Sequence, residues 1–398
     1  MRTKNPNREK IKCNRKVALN ISLLFIGLLG LFGCGSPSSA SESGTQTETQ
    51  KQSSLVYESS MELKYAENFK VDYYKGGFTL LTTTMDGAQF LVVPEEEKVP
   101  DNLEEGIVVL QRPIENIYLV ASSVMDIFSQ LNGLDTITFS GQKQEGWYIE
   151  EARDAMAKGD IIYAGKYNMP DYELIVSKDC SLAIENRMIS HSPEVVEKLE
   201  DFGIPVMIEC SSYESHPLGR VEWVKFFGAL LGKEEEAEKI FEEQTQILDK
   251  VTADEKTDKT VAFFFVTSNG LVQVRQSSDY VPEMIELAGG KYIFEDLGDP
   301  DTKRSTVNMQ VEEFYDGAKD ADFLIYNSSI DGGVSNIDEL IDKCEVLKDF
   351  KAVKEGNVWC TTNDMYQQSL SIGYLIEDIH NMLRGEEDVQ LHYLFHLE

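Results

Sequence analysis

The chain has 398 residues, which is more than one average hydrophobic core organises, so two domains are expected once any processed segment is removed. Acidic residues outnumber basic residues by 69 to 37, and the net charge is −32. Nucleic acids and anionic lipid surfaces would repel a chain this acidic, and we exclude both as main binding partners.

The amino-terminal segment has the layout of an export signal. Seven basic residues lie within residues 2–16, and an apolar run over residues 17–32 follows them. The run is shorter than a typical membrane-spanning helix, and glycines interrupt it. It ends in Leu31-Phe32-Gly33-Cys34, which resembles the lipobox of bacterial lipoproteins; the alternative is a core helix that happens to end in cysteine. We therefore predict a signal peptide over residues 1–33 and lipidation of Cys34.

Residues 34–54 are rich in Ser, Thr, Gln and Gly and hold hardly an apolar residue, so they predict a flexible tether. Loss of residues 1–33 removes seven basic residues and one acidic residue, which changes the net charge from −32 to −38. A lipid, a tether and a folded body predict a protein anchored on the outer face of the cell membrane, facing the periplasm if the cell has an outer membrane.

Residues 55–232 are predicted to form a first α/β lobe with a β-hairpin entry. The entry is the alternating sequence from Phe69 to Val93, which Gly-containing turns interrupt. Strands then alternate with helices, a pattern typical of parallel pairing through right-handed crossovers. The predicted strands are Ile107–Leu110, Thr136–Phe139, Ile161–Tyr163, Ser181–Glu185 and Pro205–Ile208, and the helices are Ala121–Leu131, Glu150–Lys158 and Pro193–Phe202.

A long amphipathic helix is predicted over residues 233–252. Its apolar residues recur at three- and four-residue steps, its first turn carries Glu234, Glu235 and Glu236, and Gly232 ends the preceding helical stretch. An ordinary surface helix is the alternative. Alternating strands and helices on both sides favour a connector between two lobes.

Residues 253–398 are predicted to form the second α/β lobe. Its predicted strands are Val261–Val266, Leu271–Val274, Asp322–Tyr326 and Gly356–Cys360, and its helices are Tyr280–Ala288, Val311–Ala318 and Asn336–Cys344.

Several segments, in this order, resemble the iron-complex and vitamin B12 branch of ABC-transporter substrate-binding proteins, the class III periplasmic binding proteins. The resemblance covers most of residues 105–385 and rests on Asp171-Tyr-Glu-Leu174, Gly203-Ile-Pro-Val206, Tyr213-Glu-Ser-His-Pro-Leu-Gly-Arg-Val-Glu-Trp223, Gly232-Lys-Glu-Glu-Glu-Ala237, Glu286-Leu-Ala-Gly-Gly290 and Phe350-Lys-Ala-Val-Lys-Glu-Gly-Asn-Val-Trp359. It implies two three-layer α/β lobes with mainly parallel sheets, joined by one long rigid α-helix. It also implies a monomer that binds its ligand between the lobes and delivers it to an ABC permease and ATPase.

Ligands of open α/β sheets bind at the carboxyl ends of the strands, so the loops that follow strands supply the ligand-binding candidates. Basic and aromatic side chains there suit the anionic oxygens and flat faces of ferric siderophores or haem. The candidates are Trp147, Tyr148, Lys166, Tyr167, Met169, Arg187, Met188, Arg275, Tyr280, Arg304 and Tyr366. The resemblance further implies a permease-docking carboxylate on each lobe: Glu194 on the first, and Asp338 or Glu339 on the second.

Other ligands and other functions stay open as alternatives. A cobalamin-binding protein would share the fold and favour a less charged cleft, and a surface receptor without a permease would share the sequence features. A zinc or manganese binder would need three or four converging His and carboxylate ligands, and the chain has five histidines. No GxSxG or GxGxxG motif occurs, and Gly228–Glu234 lacks the Ser or Thr of a phosphate-binding loop, so neither an enzyme nor a resident cofactor or metal is expected.

The remaining cysteines, Cys180, Cys210, Cys344 and Cys360, lack CxxC spacing. Disulfides are open to an exported protein, but buried free thiols are expected here. Trp223 and Trp359 are predicted in the core, and His216 is predicted to be a structural residue at a helix start.

Overall fold

The computed structural model describes residues 55–299, 304–386 and 389–398. The predicted signal peptide, Cys34 and the tether lie outside these residues. None of the described helices combines the length and the apolarity that crossing a bilayer requires.

The described chain begins with a five-stranded sheet, the amino-terminal sheet, in which the strands follow one another in sequence order. One face packs Phe69, Val71 and Phe90 into the main hydrophobic core, and the other face carries a small cluster around Leu91. The strands are β1 (Tyr57–Ser60), β2 (Phe69–Tyr74), β3 (Phe78–Thr83), β4 (Gln89–Val93) and β5 (Ile107–Gln111). The predicted entry is thus present and larger than a hairpin.

The pairing of strand β5 differs from the prediction. The sequence placed Ile107–Leu110 as the first strand of the α/β lobe, but β5 pairs in parallel with β4 of the amino-terminal sheet. The connection over residues 94–106 is long enough to carry the chain back for parallel pairing. Ile107 and Val109 then cover Leu91 on the outer face.

The first lobe surrounds a five-stranded parallel sheet in the order β12-β11-β6-β7-β8. The sequence predicts four of its strands to within two residues and misses the short β6. The elements are β6 (Ile117–Leu119), α1 (Ser122–Gln130), β7 (Ile137–Ser140), α2 (Glu150–Lys158), β8 (Ile162–Tyr163), a small hairpin β9 (Gly165–Lys166) and β10 (Met169–Pro170), α3 (Tyr172–Ser177), β11 (Leu182–Asn186), α4 (Pro193–Asp201) and β12 (Val206–Glu209).

Two consecutive helices lead out of the first lobe, α5 (Pro217–Leu231) and α6 (Glu234–Thr252). Helix α5 is buried on almost every side, and Gly232, in the left-handed conformation with φ of 73°, ends it. A Cβ on Gly228 would lie 2.6 Å from the Cβ of Ala237, so glycine is what allows the two helices to pack this closely. Helix α6 coincides with the predicted long helix and buries Phe241 and Leu248.

The second lobe surrounds a mixed sheet in the order β16-β14-β13-β17-β18-β19, with β15 also beside β13. The strands β15, β13, β17 and β18 pair in parallel, and antiparallel strands lie at both edges. The elements are β13 (Thr260–Val266), β14 (Val272–Arg275), α7 (Tyr280–Leu287), β15 (Lys291–Tyr292), β16 (Thr306–Met309), α8 (Val311–Ala318), β17 (Phe323–Tyr326), α9 (Ile337–Lys343), α10 (Lys351–Glu355), β18 (Val358–Thr361), α11 (Ile372–Arg384) and β19 (Leu394–His396).

The packing of the two lobes tests the predictions made for individual side chains. Trp223 is fully buried, and His216 caps α5 by accepting a hydrogen bond from the Leu218 backbone N–H through Nδ1 at 3.1 Å, as expected. Trp359 is only half-buried, because β18 lies next to the edge strand β19 and the indole packs against His396. The four described cysteines are buried and free, which confirms the expected thiols. The lobe boundaries at residues 55–232 and 253–398 stay predictions.

Candidate functional site

Two adjoining cavities lie where strands of both sheets end, and together they are called the cleft here. The larger measures about 670 Å³ and the smaller about 330 Å³. They share five lining residues: Ser212, Tyr213, Arg220, Tyr280 and Tyr366. The loops that line the cleft follow β6, β11 and β12 of the first lobe and β14, β17 and β18 of the second, which is the position expected for a ligand of α/β sheets.

A further cavity of about 750 Å³ lies beside α6, between Met61 and Lys64 on one side and Lys225 and Glu238 on the other. It is the larger space, but no residue that follows a strand of either lobe lines it. The cleft combines side chains from both lobes, and it is therefore the better candidate site.

Arg275 contributes a fixed positive charge to the larger cavity. Its guanidinium donates a hydrogen bond to the Tyr366 hydroxyl and lies 3.6 Å from the Asp279 carboxylate. The Asn327 side chain donates a second hydrogen bond to the Tyr366 hydroxyl at 2.8 Å. Burial lowers the pKa of Arg275, but Tyr366 and Asp279 outweigh that effect and hold the pKa above its usual range. Arg275 is therefore charged and oriented in the absence of ligand.

Arg220 of α5 joins the first lobe to the second across the cleft. Its guanidinium carbon lies 3.5 Å from the centroid of the Tyr280 ring on α7, and its Nη2 donates to the Ser212 carbonyl at 2.5 Å. Its Nε is buried and has no hydrogen-bond partner among the described residues. One N–H donor in the floor of the cleft is thus unused by the protein.

The smaller cavity is lined by a third arginine, Arg187, and by the buried carboxylate of Glu209. The Arg187 guanidinium carbon lies 5.0 Å from the centroid of the Tyr213 ring. Glu209 accepts hydrogen bonds from the Ser211 backbone N–H at 2.9 Å and from the Ser211 and Ser123 hydroxyls at 2.6 and 3.2 Å. Burial raises the pKa of Glu209, and these hydrogen bonds oppose that rise. The carboxylate is therefore occupied by the protein.

Six of the eleven predicted ligand residues line the cleft: Arg187, Met188, Arg275, Tyr280, Arg304 and Tyr366. The other five do not. Trp147 was expected near the cleft, but it is buried in the core and donates from its indole nitrogen to the Ser140 hydroxyl at 3.2 Å. Lys166 and Met169 lie in the β9–β10 hairpin, and Tyr167 packs against the core of the first lobe.

The loop at Tyr148 instead contacts the second lobe just outside the cleft. The Tyr148 backbone N–H donates to the Gln367 side-chain oxygen at 2.8 Å, and the Gln367 side chain donates to the Gly146 carbonyl at 2.8 Å. A further contact joins the lobes where the Leu370 backbone N–H donates to Asp126 at 2.9 Å. These contacts join the two lobes beside the cleft.

Sequence reasoning missed Arg220, Tyr213, Glu209 and Met85, all of which line the cleft. Arg220 lies within the Tyr213–Trp223 segment that carries the family resemblance, so a signal was present. It lies inside a helix and not in a loop after a strand, so the rule about the carboxyl ends of strands did not select it.

The predicted docking acids are all exposed, and each lies in the first turn of a helix. Glu194 begins α4, and Asp338 and Glu339 begin α9. The Glu339 carboxylate also accepts from the Ser335 backbone N–H at 2.8 Å, while Asn336 accepts from the Glu339 backbone N–H at 2.9 Å. The arrangement is similar to a capping box, except that Glu339 accepts from the residue before the N-cap Asn336, so Glu339 has a local structural role as well.

Comparison with known proteins agrees with this architecture. Two lipoproteins of Methanocaldococcus jannaschii, both named as uncharacterized, are each 26% identical to this chain; one match covers 81% of this chain and 82% of the relative, the other 95% and 99%. The crystal structure of the periplasmic heme binding protein HutB of Vibrio cholerae has a TM-score of 0.54 and 15% identity, and the match covers 68% of this chain and 98% of that chain. The expected α/β fold with two lobes is thereby confirmed.

Residues 120–365, more than half of the chain, match the periplasmic binding protein family. Proteins of this family bind solutes outside the cytoplasm. The assignment made from the sequence is confirmed at this level: the chain belongs to the periplasmic binding protein family.

Proposed function

We propose that the chain captures an anionic iron complex, a ferric siderophore or haem, in the cleft and delivers it to an ABC importer. One observation carries the proposal. Four arginines, Arg187, Arg220, Arg275 and Arg304, line the cleft of a chain whose net charge is −32. Arginine is well suited to carboxylate and other anionic oxygens, because its planar group donates several hydrogen bonds.

Three acids, Glu209, Glu214 and Asp279, also line the cleft, so its four arginines leave a net charge of +1 when all seven groups are ionised. Glu209 is occupied by Ser211 and Ser123, as described above. Glu214 accepts from the backbone N–H groups of Glu67 and Asn68 at 2.9 Å each and from the Trp223 indole at 2.9 Å. Asp279 caps α7 and faces Arg275. These hydrogen bonds hold the carboxylates in place but do not remove their negative charge.

Aromatic faces complement the arginines. Tyr213, Tyr280 and Tyr366 line both cavities. Tyr280 is buried beneath Arg220, whereas Tyr213 is exposed and offers a ring on which a flat ligand group is able to stack. Binding between two lobes that already contact each other requires only a small closing motion. On this proposal the protein is held at the outer face of the membrane through a lipid on Cys34 and meets its permease through Glu194 and an acid of α9.

The arginine contribution is tested by substituting Arg304, the exposed arginine at the rim of the larger cavity. The native chain from residue 55 onwards, whose described residues belong to one compact unit, is titrated with an iron(III) tris-catecholate and with haem. Arg304→Ala is expected to weaken binding by about tenfold, with a smaller loss at high salt because exposed charges are screened. The matched control is Arg153→Ala, which removes an exposed arginine from α2. If both variants bind the iron complex with equal affinity, the assignment of the cleft as the binding site is contradicted.

A further inference from the structure

The amino-terminal sheet contributes a third wall to the cleft. Asn68, just before β2, and Met85, in the turn between β3 and β4, line the same cavity as Arg275 and Tyr366. Met85 is half-buried, and its sulfur lies 4.0 Å from Nη1 of Arg187 in the first lobe. The cavity therefore has walls from both lobes and from the amino-terminal sheet.

The turn that carries Met85 is held firmly in place. The Thr84 backbone N–H donates to the Asn68 carbonyl, and its hydroxyl donates to the Glu67 carbonyl, both at 3.0 Å. Within the turn, Asp86 accepts from the Thr83 hydroxyl at 2.6 Å and from the Ala88 backbone N–H at 3.1 Å. A wall fixed by this many hydrogen bonds is preformed, so it selects among ligands by shape.

The base of this wall is fastened to the first lobe by buried carboxylates. Glu214 holds the backbone N–H groups of Glu67 and Asn68, as described above. Glu222 of α5 accepts from the backbone N–H groups of Lys64, Tyr65 and Ala66 at 2.8 Å each. Five successive backbone donors are thus bound by two acids of the lobe that forms the opposite side of the cleft.

The sheet lies outside the part of the chain that defines the family. The family match begins at residue 120, and β5 ends at Gln111. The match to one archaeal lipoprotein spans nearly the whole chain, so the sheet belongs to the region shared with that relative. Met85 therefore belongs to a part of the chain that the family match does not include.

We infer that Met85 contacts the bound iron complex and determines which complexes fit, an inference that rests on the proposed function. The chemistry of the site favours a chelate with an aromatic face. A thioether is polarisable and packs well against the edge of an aromatic ring, and Arg187 beside it supplies charge for an anionic oxygen on the same ring. Catecholate rings carry their anionic oxygens on the ring itself, and haem carries them on the propionate groups attached to its porphyrin.

The test places a thiol on the wall and asks whether a chelate protects it. In the Met85→Cys variant, the rate of thiol alkylation is measured with and without a saturating iron(III) tris-catecholate, and separately with haem. The matched control is Met61→Cys, because Met61 is also half-buried in the amino-terminal region but lines the cavity beside α6. The unsubstituted chain, whose four described cysteines are buried, supplies the background rate.

We expect the chelate that binds the native chain to slow alkylation of the Met85→Cys variant by at least about tenfold and to leave the Met61→Cys variant unchanged. The Met85→Trp variant, which overfills the cavity, should lose affinity by a similar factor, and the Met61→Trp variant should not. Binding with unchanged alkylation of the Met85→Cys variant and unchanged affinity of the Met85→Trp variant would overturn the inference and leave the proposed function standing. If neither chelate binds the native chain, the proposed function fails and the inference fails with it.

Discussion

The guanidinium of Arg220 lies 3.5 Å from the centre of the Tyr280 ring, and this contact joins α5 of the first lobe to α7 of the second at the floor of the cleft. Tyr280 is buried, and the Arg220 Nε has no hydrogen-bond partner among the described residues. The stack positions a planar donor group where a ligand in either cavity is able to reach it.

Arg220→Ala should weaken binding of an iron(III) tris-catecholate or haem by about 10- to 100-fold, because it removes a charge-assisted donor and the stack that orients it. Arg220→Lys should recover only part of the affinity, since an ammonium group keeps the charge without the planar donor. Equilibrium titration measures both variants. Full affinity in Arg220→Ala would show that the ligand does not contact this arginine.

The attachment of the amino-terminal sheet to the first lobe should depend on Glu222, and so should the stability of the protein. Glu222→Ala leaves three backbone N–H groups, one buried and two part-buried, without their acceptor and is expected to lower the free energy of unfolding by about 3 kcal/mol. Urea denaturation measures the change. The control is Glu238→Ala, because Glu238 is half exposed and shares Lys225 with Glu222, and its loss should cost less than about 1 kcal/mol. Similar losses in both variants would contradict the anchoring role.

Glu185 gives the protein a pH-dependent stability. Its carboxylate is buried in β11, neither oxygen has a hydrogen-bond partner within the described residues, and burial raises its pKa from 4.5 to about 8. The folded state therefore keeps a proton that the unfolded chain releases. This contribution to stability is fully present below pH 4.5 and is lost as the pH rises through about 8.

Glu185→Gln should remove that dependence. Between pH 5 and pH 7.5, the native chain should lose up to about 1.4 kcal/mol of unfolding free energy per pH unit relative to the variant. Burial also raises the pKa of Asp126 to about 6, with the same sign, and this effect is common to both proteins and cancels in the comparison. An exposed-site control, Glu194→Gln, should follow the native curve. Parallel curves for Glu185→Gln and the native chain would rule out the effect.

Delivery to the permease is predicted to depend on one acid of each lobe. Glu194→Ala combined with Glu339→Gln should leave binding intact and reduce uptake of the iron complex by cells, because glutamine keeps an acceptor for the Ser335 backbone N–H while removing the charge. A second pair, Glu194→Ala with Asp338→Asn, shows which acid of α9 is used. Undiminished uptake with both pairs would refute docking through these positions.

The lobes could be predicted from the sequence because their strands are continuous apolar runs, such as residues 261–266, and their helices have clear ends. Helix α11 was also within reach, since Ile372, Leu375, Ile376 and Ile379 recur at helical spacing and are buried. The pairing of strand β5 could not be predicted, because the local pattern identifies a strand but not the strand with which it pairs.

Some of the residues that line the cleft could be predicted from the sequence, and others could not. Arg275 ends strand β14 and Tyr366 lies in the loop after β18, so the rule about carboxyl ends finds both. Trp147 satisfies the same rule, but its side chain turns inward, and burial of its large apolar ring outweighs exposure in a cleft. Arg220 and Met85 reach the cleft from a helix and from the amino-terminal sheet, through tertiary packing that sequence spacing does not encode.

Intrinsic tryptophan fluorescence tests the central claim most directly. Trp223 donates to Glu214 at the edge of the cleft, and ferric chelates and haem absorb where tryptophan emits. Ferric siderophores, haem and cobalamin are titrated in parallel into the native chain from residue 55 onwards, with Arg153→Ala as the charge control. The account predicts saturable quenching at micromolar or lower concentration by a ferric siderophore or by haem. Saturable quenching by cobalamin alone, or by none of them while Zn²⁺ or Mn²⁺ raises thermal stability, would contradict it.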